Sequence, residues 1–162
     1  MARFGRRLKR TGKGRFKLSL PRQERDILRS LPAELRLLLP TGDPALERLF
    51  PPAYRDDPAG SAEYERLMHE DLVTGKLSSL DVMEQTIDAT ELTEEQLTAW
   101  LGALNDLRLV MGSRLGVTED LYAEGLPEDD PRAPRYALFA YLGWLEEQVV
   151  LALAEQLPDP AG

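Results

Sequence analysis

The stretch from Leu92 to Val117 constrains the fold of this chain more than any other. Thr93 followed three residues later by Gln96 is a capping box, in which each side chain satisfies a backbone N–H that a helix start leaves open. Glu94 and Glu95 set negative charge against the positive end of the helix dipole. Leu97, Leu101, Leu104, Met111 and Leu115 then recur on one helical face, flanked by Trp100 and Leu107. Gly116 suits the left-handed residue that closes a helix. So broad an apolar face needs a second one to cover it. The segment from Ala133 to Leu157 supplies that face with Leu138, Leu142, Leu145, Val149, Ala152 and Leu153. Tyr141, Trp144, Val150 and Leu151 make this second helix apolar almost all round. Such a helix is central, or it covers a partner as well as its own core.

The remaining elements fit around this pair. Pro21 opens a helix carrying Ile27, Leu28, Leu31, Leu35 and Leu38, with Pro32 expected to kink or split it near Leu31. Pro40 to Pro44 ends that element, and a short helix over Pro44–Phe50 precedes a proline-bearing loop, 51–60. Ser61 is a candidate N-cap for a helix reaching about Lys76. Ser78 or Ser79 is a candidate cap for another, carrying Leu80, Met83 and Ile87 and ending near Ala89. Residues 119–134 read as an acidic surface loop. Phe16 to Leu20 alternates like a short strand, but a strand needs a partner and no second good one is evident. The expectation is an all-α fold: one compact helical bundle of five to seven helices around two long antiparallel ones. A basic arm (1–17), flexible or extended, precedes the bundle (18–157), and a short tail follows (158–162).

Charge is divided unevenly. Residues 1–17 hold eight cations and no acid, whereas the other 145 residues hold 12 basic and 28 acidic groups, a balance of −16. The arm's cations are Arg3, Arg6, Arg7, Lys9, Arg10, Lys13, Arg15 and Lys17. Two readings stand side by side: contact with nucleic-acid phosphates or an acidic partner, and an arm folded back on its own acidic body. With only Phe4 and Phe16 as aromatics, the arm offers little for base stacking, so sequence-specific readout is not expected. No apolar h-region follows the basic start and no run approaches the ~18 apolar residues of a membrane span. A cytoplasmic protein without membrane contact is expected.

The sequence holds little catalytic material. There is no cysteine, which removes thiolate chemistry, disulfides and Cys-ligated metals. His69 is the one histidine; Glu65 lies four residues before it, and Glu70 and Asp71 follow it. A di-iron bundle site needs a second His, so no metal is expected and His69 reads as a surface residue. No Gly-x-Ser-x-Gly turn accompanies it, and no glycine-rich phosphate loop is present. The adjacent acids Glu94/Glu95, Asp129/Asp130 and Glu146/Glu147 point apart on a helix and read as solvated charge. No catalytic residue, cofactor or metal is assigned. Arg108 differs, because it falls inside the apolar arc between Leu104 and Met111. One reading is a stem that carries its head out to water. The preferred one is a structural ion pair with Glu146 on the last helix, whose loss would cost about 3–5 kcal/mol if the pair is buried.

The blocks Trp100-Leu101-Gly102-Ala103-Leu104-Asn105-Asp106-Leu107-Arg108-Leu109-Val110-Met111-Gly112 and Tyr141-Leu142-Gly143-Trp144-Leu145 resemble the signatures of an actinobacterial family of domains of unknown function. That family includes the AosR-like oxidative-stress transcriptional regulators. Leu46 to Tyr54, and Asp71-Leu72 with Lys76, are also similar, so the resemblance spans about Phe16 to Leu157. It implies a helical, non-enzymatic regulator working through protein contacts, with a transcription component as partner. AosR-like regulators are associated with a redox-active cysteine pair and a sigma-factor partner; this chain has no cysteine with which to form such a switch. The surplus apolar surface of the last helix also makes a homodimer an expectation.

Overall fold

A computed structural model of the chain describes residues 5–41, 43–50, 58–117 and 125–155. Within them the chain runs β1 (Leu8–Gly12), β2 (Arg15–Leu18), α1 (Arg22–Leu38) and two short 3-10 turns, Leu39–Thr41 and Pro44–Leu49. Then come α2 (Pro58–Gln85), β3 (Glu91–Thr93), α3 (Glu94–Leu115) and α4 (Ala133–Ala154).

The capping box forms at the start of α3. Thr93 Oγ1 accepts from the Gln96 N–H at 3.1 Å, and Gln96 Oε1 accepts from the Thr93 N–H at 2.9 Å. Gly116 closes the helix at φ 66°. α3 packs antiparallel to α4: Gly112 faces Phe139, whereas four residues earlier Arg108 faces Gly143, so the numbering runs in opposite directions. Leu97, Trp100, Ala103 and Leu104 on α3 are sealed from solvent, as are Leu142, Leu145, Val149 and Ala152 on α4. The Trp100 indole N–H donates to Thr86 Oγ1 at 2.7 Å, which satisfies the one polar atom of the largest buried side chain.

Several expectations change. The fold is mostly helical but not all-α, because Phe16–Leu18 does find partners. β1 and β3 flank β2 in an antiparallel sheet of order β1-β2-β3, with Leu8 opposite Leu18 and Phe16 opposite Leu92. A three-residue strand leading directly into a capped helix carries almost no periodicity of its own. The helices expected on either side of Leu77 are one continuous helix, since nothing between Lys76 and Leu80 removes a backbone N–H. Pro32 likewise sits buried inside α1 without dividing it. A further difference concerns α4: by length and apolar composition it could cross a membrane. Its inner face is core against α3, and its outer face keeps Val150 and Leu151 exposed.

Candidate functional site

Several ion pairs and hydrogen bonds join segments that are distant in sequence. Arg7 is 8% exposed. Its Nε and Nη2 donate to the Glu24 carboxylate at 3.0 and 2.7 Å, a two-pronged pairing that suits guanidinium geometry. The Tyr141 hydroxyl donates to the same carboxylate at 2.7 Å. The guanidinium also lies 5.2 Å from the Trp144 ring centre, within cation–π range. Residues from the hairpin, α1 and α4 therefore meet at one carboxylate. Burial by itself would raise the Glu24 pKa, but the hydrogen bonds from Arg7 and Tyr141 outweigh it and hold the group below the ordinary glutamate range. The Arg7 guanidinium is held more firmly charged by its hydrogen bond to Glu24. Burial, then Glu24, pushes the Tyr141 hydroxyl far above its usual value.

Two neighbouring cations are also tied to the body. Arg6 donates to Glu155 at 2.6 Å and to the Leu8 carbonyl at 2.8 Å. Arg10 lies 4.6 Å from the Phe16 ring centre and donates to the Leu153 carbonyl near the end of α4 at 3.1 Å. The Arg10 backbone N–H donates to Glu155 at 3.1 Å, which blocks the outer edge of β1. Lys9, Lys13, Arg15 and Lys17 all remain exposed. Arg3 lies outside the described residues.

Arg108 Nε comes within 2.8 Å of Glu146 Oε2. The N–H is not aimed at the oxygen well enough for a hydrogen bond, so the contact is ionic in character. The Arg108 side chain keeps 34% of its surface exposed, and its aliphatic stem lies against Gly143. Both readings of this residue therefore describe part of what it does: the stem covers apolar helix while the head reaches a carboxylate. A more deeply buried pair lies on the opposite side of α3. Lys76 Nζ on α2 donates to Asp106 at 3.1 Å, with only 7% of the Asp106 side chain exposed. Burial raises the Asp106 pKa, opposed by the bond from Lys76. Sequence reasoning passed over Asp106 and Glu24. The available signal for Asp106 was a carboxylate among Ala103, Leu107 and Val110 on the buried side of α3.

His69 is exposed, and its ring lies 4.3 Å from that of Phe50 beside a shallow cavity lined also by Asp43, Leu46 and Glu47. Any pairing of His69 with the Glu65 side chain lies outside the described residues. Among the described residues no cluster of three or more His, Asp or Glu side chains is arranged to hold a metal.

The model of the family described as a domain of unknown function (DUF2017) matches residues 3–153. The chain belongs to that family. This DUF2017 chain is 35% identical over 129 residues to a protein named oxidative stress regulator AosR in Mycobacterium tuberculosis strain H37Rv. It is equally similar to the protein of that name in Mycobacterium bovis. These alignments cover 69% of the chain and 59% of each relative. A putative oxidative stress regulator AosR of Mycobacterium leprae is 33% identical over 128 residues, covering 68% of the chain and 58% of that protein. The matched part thus spans about three-fifths of the length of these curated relatives. No solved structure matches the chain.

Proposed function

We propose that this chain is a cytoplasmic, non-enzymatic regulatory protein that acts through protein–protein contact, with transcription as its setting. The regulatory part of this reading leans on the relatives named as regulators. The mode of action rests on one structural observation: the outer face of α4. Val150 is 47% and Leu151 57% exposed, on a helix whose opposite face already fills the core. Adjacent apolar side chains left in water on a rigid helix form the kind of surface a partner covers. Redox control by thiols is unavailable to this chain, which has no cysteine.

The test is affinity capture from the host with wild type and a Val150→Glu/Leu151→Glu variant, alongside sedimentation of each. A partner retained by wild type and lost by the doubly charged variant supports the reading. The same set of partners on both proteins refutes it. A wild-type dimer that the variant breaks would make a second copy the partner.

A further inference from the structure

The sheet turns one face to solvent, and that face is cationic. Strand alternation sends Phe16 and Leu18 inward and Lys9, Arg15 and Lys17 outward, with Lys13 in the connecting turn. Lys9 and Lys17 are register partners across β1 and β2. Like charges directly opposite one another on a sheet destabilise it, so a bound anion relieves a repulsion built into the fold. Arg15 precedes Lys17 on the same face of β2, about 7 Å along the strand. No ion pair among the described residues involves any of these four cations, although every neighbouring arginine from Arg6 to Arg10 has one. Among the described residues, Glu91 shares the face, beside Lys17 in the register of β2 and β3, and Glu155, which is paired with Arg6, attracts Lys9 from the strand's flank.

We infer that this face binds the phosphodiester backbone of a nucleic acid without reading its sequence. The chemistry separates this ligand from an acidic protein. Protein interfaces are depleted in lysine and depend on apolar or aromatic anchors. Here the outward residues are Lys, Arg, Thr and Glu, and the sheet's one aromatic, Phe16, is sealed beneath Arg10. Without an exposed ring no base can stack, which leaves phosphates as the groups recognised. The surface lies on the hairpin and is independent of the α4 reading.

Fluorescence anisotropy with the full chain and a labelled duplex of arbitrary sequence tests this across sodium chloride concentrations. Four cations offset by Glu91 give a slope of log K against log salt of about −3, so affinity falls roughly 60-fold between about 50 and 200 mM. A Lys9→Ala/Lys17→Ala variant, checked for its fold by circular dichroism, should flatten that slope by about two. Arg29→Ala, which alters a cation already paired with Asp26 and Asp88 on another part of the surface, should leave it unchanged. The inference is overturned by absence of binding at the lowest salt or by an unaltered slope in the double variant. Tighter binding to polyglutamate or to anionic lipid vesicles than to the duplex would overturn it too.

Discussion

Glu24→Ala should be among the most damaging single changes to a charged residue in this fold. The carboxylate accepts three hydrogen bonds, two from Arg7 and one from Tyr141, at 2.7 to 3.0 Å. Without it, a guanidinium with 10% of its side chain exposed loses its counter-charge and a half-buried hydroxyl loses its acceptor. Breaking a buried pair on one side costs about 3–5 kcal/mol. The residual exposure of both partners puts this case near the lower end, about 3 kcal/mol. At this chain length each kcal/mol moves the midpoint by about 3 °C, so Tm should fall by roughly 10 °C. Arg7→Met/Glu24→Leu/Tyr141→Phe should cost much less, because it removes every polar member together. Acidity provides an independent check. The folded-state pKa of Glu24 is lowered, so its contribution is fully present above the unfolded value of about 4.3 and is lost as pH falls through the lower folded value. The gap between wild type and Glu24→Ala should therefore close below about pH 4. Thermal unfolding followed by circular dichroism at pH 7 and across the acid range measures both. A Tm within about 2 °C of wild type at neutral pH, or a gap that widens on acidification, refutes the reasoning.

Further outcomes follow from the same geometry. Lys76→Met leaves the Asp106 carboxylate buried without its cation and should cost about 3 kcal/mol at pH 7. That cost should shrink as pH falls, since a carboxyl with a raised pKa takes up its proton in the folded state first; urea denaturation at pH 7.5 and 5.5 measures it. Arg108→Ala should cost only about 1 kcal/mol, because the Arg108 side chain is one-third exposed and its Nε–H is poorly aligned; a loss above about 3 would show that the pair behaves as buried. Gly112→Ala would set a methyl 3.0 Å from the Phe139 ring and should lose about 1–3 kcal/mol despite better helix propensity. Gly143→Ala meets only the Arg108 stem, at 3.5 Å, and should gain about 0.5–1 kcal/mol, so thermal melts of the two variants should move in opposite directions.

What could be read from the sequence follows how local each determinant is. α3 was legible because its start and stop are chemical: a capping box at Thr93 and a left-handed glycine at Gly116. The continuity of α2 was not, since two serines at Ser78 and Ser79 look like a cap to any local rule. There, Leu80 and Met83 packing into the core decide instead. The sheet failed for a related reason. Phe16 and Leu18 advertise one strand, but β3 is three residues long and is recruited from more than 70 positions away. Glu24 had no signal at all: on α1 it is an ordinary first-turn acid. Its role exists only once Arg7 and Tyr141 arrive from either end of the chain.

That missing sheet changes how the basic segment must be counted. Eight cations in seventeen residues read as one arm with one role. A strand has period two, so folding sorts them. Arg10 follows Leu8 toward the body and stacks on Phe16, whereas Lys9 is turned out opposite Lys17. Register alone decides this division, and a slip of one residue would expose Leu8 and bury Lys9. Among the described residues, the acidic body therefore forms ion pairs with those cations of the segment that alternation and the strand's flank present to it: Arg6 with Glu155, Arg7 with Glu24, and Arg10 with Glu94 at longer range. The same alternation keeps Lys9, Arg15 and Lys17 out of ion-pair contact with it, although Glu155 attracts Lys9 from the strand's flank. A chain of net charge −8 can thus carry a positive face, because backbone pairing fixes where that charge points.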